Sequence, residues 1–415
     1  MGFIEPTESG KWKAYWREPS GAQRSKTLRT KGEAKTFLAQ VELSKATGNY
    51  VSPHAGRTKF GDHAREWMKS WNIDHTTRAR DLSIMRTHVL PYWEGWRLGK
   101  IDHLSAQKWI TGLCEQRSRA TVAECKRLMS GVMRSAVRNR LIGADPTVGV
   151  RIPKRRVRDT DHRVISKEEV RQLLLPAVRP ERYRALVATA AFTGLRWGEA
   201  VGLCADALDL EQRVLHVKRT VIEVSGHTEF KPFPKSRAGV RTVPLPKWLV
   251  AELEDHRRAY PAGQRGLIFC NEVGGALRRT LFRSRVWRPA LVRAGLLGEI
   301  SEVDGKFEAV WMDEEGEVYS EVFGNYDQAV RHVARHEFGG LRFHDLRHSY
   351  GTWLADDGVE PNKIARVMGH ENITTTLQLY VRRTYDADTI RGLLGDGDEP
   401  DEQEGDEAAD DSAKR

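Results

Sequence analysis

Cysteine is scarce in this chain of 415 residues: Cys114, Cys125, Cys204 and Cys270 lie far apart and form no C-x-x-C pair. That spacing excludes a zinc ribbon and a disulfide framework, and leaves four reduced thiols. Long apolar runs are missing too. None approaches the roughly 18–20 residues that a membrane span requires, and Met1-Gly2-Phe3-Ile4-Glu5 lacks the basic-then-apolar layout of a secretory signal. The expectation is a cytoplasmic protein without membrane contact. No metal-ligand spacing or cofactor loop stands out, so neither metal nor cofactor is expected. At 40% hydrophobic residues the chain has ample material for cores, and its length calls for two or three domains.

Charge is unevenly placed. Residues 391–415 hold ten acids, Asp396 to Asp411, against Arg391, Lys414 and Arg415, so this tail carries −7. The whole chain carries +10, which leaves +17 on residues 1–390. A folded body so basic favours a polyanionic partner, and nucleic acid is the commonest one. The tail has almost no apolar residues and is expected to be disordered.

Three folded segments precede the tail. In residues 1–55, Lys11 to Arg17 mixes aromatic and basic residues as a short strand. Glu18-Pro19-Ser20-Gly21 then turns, and Gln23 to Leu28 returns as a second strand. Thr30-Lys31-Gly32-Glu33 reads as a capping box, with Ala34, Phe37, Leu38 and Val41 as one helical stripe behind it. A sheet with one helix on its back would leave Lys11, Lys13, Arg17, Arg24 and Lys26 on the free face.

Residues 56–155 look all-helical: Phe60 to Trp71, Thr77 to His88, a break at Pro91 and Gly95, a helix from a Ser105 cap to about Leu113, and a long one from Ala120 to Asn139. Lys126, Arg127 and Arg134 are among the basic residues on the long helix. Around Lys154-Arg155-Arg156 the chain reads as a basic linker able to lie along phosphates. Ser166-Lys167-Glu168-Glu169 is a second capping box, opening a third domain over 160–390. Helices to about Phe192 give way there to β runs at Val214–Val217, Val221–Val224 and Val240–Leu245, and then to helix again. The fold class is therefore mainly α with small β-sheets, in several domains. Residues 297–338 are rich in acids, from Glu299 to Glu321, and read as a surface insertion with a β-hairpin turning at Asp313-Glu314-Glu315-Gly316.

The residues that carry chemistry come in a fixed order. Thr193-Gly194-Leu195-Arg196-Trp197-Gly198-Glu199 is followed by Pro234-Lys235-Ser236-Arg237, His344-Asp345-Leu346-Arg347-His348, Gly369-His370 and Tyr380. A guanidinium offers two parallel charge-assisted bonds to a phosphate and keeps its proton, which suits Arg196 and Arg347 to an anionic transition state. Glu199, three residues after Arg196, is within reach to orient it. His344 and Arg347 stand at i, i+3 and share one helix face. Tyr380 would need help to ionise, since a free tyrosine has a pKa of about 10.

In this order the motifs resemble the tyrosine recombinase, or phage integrase, family, strongly over residues 160–390 and more loosely over the first 150. The resemblance implies a catalytic set of Arg196, Lys235, His344, Arg347, His370 and Tyr380. Tyr380 would be the nucleophile forming a 3′-phosphotyrosyl bond, His344 the general base and His370 a donor to a non-bridging oxygen. Lys235, with Lys231 as a rival, would be the general acid for the leaving 5′-oxygen. Tyr319, Tyr350 and Tyr385 compete with Tyr380, but only Tyr380 sits ten residues after His370.

The resemblance also implies an arm-type DNA-binding domain at 1–55, a helical core-binding domain at 56–155, a catalytic domain at 160–390 and a homotetramer on paired double-stranded DNA attachment sites. A host DNA-bending protein and an excision factor are implied as further partners on the nucleoid. Two alternatives share much of the pattern: a type IB topoisomerase, and a DNA-binding regulator that has lost the chemistry.

Overall fold

The computed structural model describes residues 2–377 apart from 20, 49, 53–54, 154–162, 225, 232–238 and 375. Lys235, Tyr380, Tyr385, Lys154, Arg155, Arg156 and the acidic tail lie outside the described residues. The chain forms two compact units, Met1–Arg158 and Asp159–Arg415. Residues 1–55 and 56–155 both fall in the first.

The first unit begins with an antiparallel sheet of β1 (Phe3–Pro6), β2 (Trp12–Arg17) and β3 (Gln23–Leu28), followed by α1 (Lys31–Ala46). Thr30 caps α1, but only half a box forms, because Glu33 reaches the amide of Arg29 instead of that of Thr30. Trp16, Val41 and Tyr50 form the small core, with Phe37 and Leu38 packed on it. Register corrects the expected free face. Ala14 pairs with Lys26 and Trp16 with Arg24, and residues opposite one another share a face. Lys26 and Arg24 therefore lie on the buried, helix-side face. Lys26 sits 4.6 Å from the ring centre of Phe37, and Arg24 is paired at 3.1 Å with Glu18. Of the five, Lys13 and Arg17 face the free side and Lys11 precedes them, beside Tyr15 stacked on Phe3.

The rest of this unit is helical: α2 (Phe60–Lys69), α3 (His75–Ile84), α4 (Leu90–Trp93), α5 (His103–Gln116) and α6 (Arg119–Arg138). Their core holds Phe60, Met85, Trp93, Ile110, Leu128 and Met133. Pro91 does not break the chain as expected. A π-turn at Met85–Val89 joins α3 to α4, and Pro91 is the second residue of α4. Pro176 and Pro289 repeat the arrangement after π-turns at Val170–Leu174 and Arg283–Trp287. Proline has no N–H to donate and its ring repels the carbonyl four residues back, so the preceding turn widens while the helix continues. The cap of α5 is also corrected: Asp102 is the N-cap and Ser105 the reciprocal partner of its box. Lys126 and Arg127 are engaged internally, Lys126 on the Val150 carbonyl at 2.5 Å and Arg127 on buried Asp81 at 2.7 Å. Arg134 remains exposed.

In the second unit, α7 (Lys167–Glu169), α8 (Leu175–Ala177), α9 (Arg184–Thr193) and α10 (Trp197–Val201) come first, and the Ser166 capping box is complete. Strands β4 (Leu208–Asp209), β5 (Val214–Val217) and β8 (Arg241–Pro244) make one sheet; β6 (Thr220–Val224) and β7 (His227–Lys231) make another. The strands flanking residues 232–238 thus belong to different sheets. Helices α11 (Lys247–Ala259), α12 (Arg279–Phe282) and α13 (Arg288–Arg293) lead to the insertion.

Its expected hairpin turn is present, with the Asp313 amide donating to the Glu317 carbonyl at 3.0 Å and Gly316 at φ 90°. The element is larger than a hairpin: β9 (Glu299–Val303), β10 (Lys306–Met312) and β11 (Val318–Phe323) form a sheet, and α14 (Tyr326–His336) packs across β10. Last come α15 (Asp345–Asp356) and α16 (Pro361–Met368). One core runs through the unit from Ile165 to Met368, including Ala309, Val330 and Val333 of the insertion. Among the described residues no helix is long and apolar enough to cross a membrane.

Candidate active site

The site is assembled where α9, α15 and α16 end or begin. Helix α9 stops at Gly194, whose φ is 63° and which has a Tyr350 ring carbon 2.5 Å from where a Cβ would stand. Only glycine meets both demands. Its carbonyl, turned out of the helix, accepts from Arg347 Nη1 at 2.5 Å. Two residues on, Arg196 occupies the N-cap position of α10, and Glu199 reaches back to its amide at 3.0 Å.

Helix α16 closes at Gly369, φ 66°. Its last carbonyls have no helical partners. Three arginines from three distant places take them in succession: Arg241 Nε on Val367 at 2.7 Å, Arg347 Nη2 on Met368, and Arg196 Nη2 on Gly369 at 3.0 Å. His370 is the next residue and is fixed by a bond of 2.8 Å between its Nδ1 and the Thr376 hydroxyl.

Glu199 is the only carboxylate bonded to these guanidiniums among the described residues. It accepts from Arg196 Nη1 at 2.9 Å and from Arg241 Nη1 and Nη2 at 3.2 and 2.8 Å. Burial opposes its charge, but hydrogen bonds and charge from Arg241, then from Arg196, hold its pKa below the usual range. With both Glu199 and Arg241 buried, three cations against one anion leave a net positive centre. The Arg196 side chain stays 42% exposed and the Arg347 side chain is buried, so one guanidinium opens to solvent and the other forms the floor.

The histidines respond to this field. Desolvation, then the charges of Arg347, Arg196 and Arg241, push His370 down to about 4. His344 opens α15 with its ring edge-to-face on His348 at 5.0 Å. Desolvation and Arg347 lower its pKa as well, although part of the residue meets solvent. Both are therefore neutral at pH 7 and able to accept a proton or a hydrogen bond. Burial beside Arg196 and Arg241 lowers Arg347 to about 9, which still leaves it charged. Among the rival tyrosines, Tyr350 is buried and raised to about 12, and Tyr319 is raised by its bond to Asp313, the reverse of what a nucleophile needs.

The family model for the phage integrase family matches residues 313–386, the stretch that contains His344, Arg347, His370 and Tyr380. A putative prophage phiRv2 integrase of Mycobacterium tuberculosis is 28% identical over 282 residues, covering 65% of this chain and 72% of that protein.

Residues 313–386 carry a phage integrase family domain, and the chain is similar to integrases over most of its length.

Solved integrases share its fold. The Tn1549 transposon integrase in complex with transposon right end DNA superposes with a TM-score of 0.59 at 18% identity, over 81% of this chain and 99% of that one. A lambda integrase tetramer bound to a Holliday junction gives 0.50 at 15% identity, over 89% and 96%. Arg196 and Arg347 thus bond the two carbonyls that precede His370, and Glu199 bonds Arg196. Sequence reasoning missed Arg241. Its signal was the alternation of β8, where Arg241 and Val243 face inward and Thr242 and Pro244 outward. A charged residue on a buried face requires a partner.

Proposed function

We propose that this chain cuts and rejoins DNA strands at specific sites to integrate, and in reverse excise, a mobile element. Tyr380 attacks the scissile phosphate and forms a 3′-phosphotyrosyl ester, releasing a 5′-hydroxyl. Arg196 and Arg347 hold the non-bridging oxygens, and neutral His370 donates to one of them through Nε2–H, the tautomer in which its Nδ1 accepts from the Thr376 hydroxyl. His344 takes the tyrosine proton, and Lys235 supplies one to the leaving oxygen. A partner strand's 5′-hydroxyl then attacks the ester, so bond energy is conserved and no ATP is used. The observation that carries this reading is the cluster of Arg196, Arg347 and Arg241 gripping three successive carbonyls ahead of His370.

The same reading makes the functional unit a homotetramer on two paired duplexes in the cytoplasm, at the nucleoid. Residues 1–55 bind arm-type sites and 56–155 core sites, with a host bending protein and an excision factor as accessory partners. The test is a plasmid pair carrying attachment sites taken from the DNA flanking the gene. Recombinant circles formed without added metal or ATP are expected. Relaxation of supercoils without recombinants would point to a type IB topoisomerase, and binding without either product to a regulator.

A further inference from the structure

The insertion is acidic by composition, yet its charges are sorted. Glu299, Glu302 and Glu308 lie on the sheet, Asp304 in the β9–β10 turn, and Asp313, Glu314, Glu315 and Glu317 cluster in the β10–β11 turn. Helix α14, by contrast, presents Arg331 and Arg335 across a groove of about 1210 Å³ from Arg283 of the π-turn that follows α12. All three arginines are exposed, and none has a hydrogen bond or ion pair among the described residues. Two further arginines of the same groove are spent on its construction. Arg288 is buried and donates to the carbonyls of Ala334, Glu337 and Gly339; Arg342 is clamped on Asp345, the residue after His344.

The groove floor suits a polyanionic backbone more than a compact anion. Gly339 and Gly340, at φ 73° and 85°, bring bare main chain to its surface, and Phe338 beside them is 49% exposed. Asp313, Glu314 and Glu337 are its acidic lining residues, and Glu337 is engaged by the Met312 amide at 2.9 Å. Through Arg342 and Asp345 the groove is continuous with the turn that carries His344.

We propose that this groove seats the sugar–phosphate backbone of duplex DNA flanking the cleaved phosphate, with Arg283, Arg331 and Arg335 as its phosphate-binding side chains. The insertion thereby lengthens the DNA track of the catalytic unit. The inference rests on the DNA-acting function proposed above. Binding to phosphates carries no sequence information but fixes register, so the effect is independent of the sequence bound.

The full chain and a triple variant, Arg283→Gln with Arg331→Gln and Arg335→Gln, would be titrated with a duplex of arbitrary sequence over a range of salt. Every phosphate that goes unneutralised flattens the plot of log affinity against log salt by about 0.9. The variant slope is therefore expected to fall by roughly 2 to 3, with an unchanged melting temperature. An unchanged slope in a folded variant overturns the groove while leaving the recombinase reading intact. Wild-type binding with no salt dependence would defeat the DNA-acting reading itself. If the triple variant fails to fold, Arg331→Gln with Arg335→Gln alone, on the solvent face of α14, should lower the slope by about 2.

Discussion

Arg241 and Glu199 form a buried, two-bond ion pair, 2.8 and 3.2 Å, that joins strand β8 to the helix start carrying Arg196. The same guanidinium reaches the Val367 carbonyl, so one residue sets the spacing between Arg196 and His370. Arg241→Met should strand a buried carboxylate and destabilise the unit by about 3–5 kcal/mol. Cleavage should fall further than DNA binding, because the pair touches no substrate. Chemical denaturation and single-turnover cleavage, run together, check both halves.

His370 fixes a dependence on pH. Its folded value lies near 4 against 6.5 for an ordinary histidine, so between these the unfolded chain binds a proton that the folded chain does not. Stability therefore rises with pH across that window and is lost as pH falls from about 6.5 to about 4. His370→Asn should flatten this part of the profile relative to wild type, measured as urea midpoints at several pH values. His344, also lowered, should keep cleavage on its plateau to a pH below 6.5.

Gly194→Ala tests the turn. A left-handed residue with a side chain costs about 1–2 kcal/mol, and here the Tyr350 ring must also move. The variant should melt lower than Gly358→Ala, which shares a positive φ of 75° but has open space where the Cβ would stand. Tyr350→Ala added to Gly194→Ala should recover part of the cleavage rate by freeing the space, which a purely conformational cost would not allow.

Arg288→Met removes the donor to the carbonyls of Ala334, Glu337 and Gly339. Leaving the buried Ala334 carbonyl and the more exposed Glu337 and Gly339 carbonyls without their donor should cost about 1–3 kcal/mol. Hydrogen exchange should show weakened protection at 334–343, ahead of His344, while α1 to α6 keep theirs.

On the N-terminal sheet, if it binds DNA as proposed, Lys13→Gln with Arg17→Gln should flatten the salt dependence of DNA binding by about 2. Lys26→Gln should leave it unchanged, since Lys26 lies over Phe37 on the helix side. Equal effects from both would contradict the register.

What could be read from the sequence was local. Arg196 with Glu199, and His344 with Arg347, sit within one turn of each other, so spacing alone put them on common faces. The hairpin turn at Asp313–Gly316 was legible for the same reason. Arg241 was not, because its partners Glu199 and Val367 are 42 and 126 residues away. Arg24 and Lys26 were misplaced because a strand's face depends on register, and Ala14 opposite Lys26 sets that register. Pro91 looked like a break because the π-turn that absorbs it leaves no compositional mark. Strand β9 and helix α14 were missed since their pattern is only meaningful once they pack together.

In the proposed function this arginine-rich centre serves a covalent step at Tyr380. Trapping tests it most directly: a nicked half-site from the flanking DNA, a chelator, and wild type beside Tyr380→Phe. An SDS-resistant protein–DNA adduct from wild type that vanishes in Tyr380→Phe is the predicted result. An adduct that survives the substitution would place the nucleophile on another tyrosine, and tight binding without adduct from either protein would contradict the chemistry.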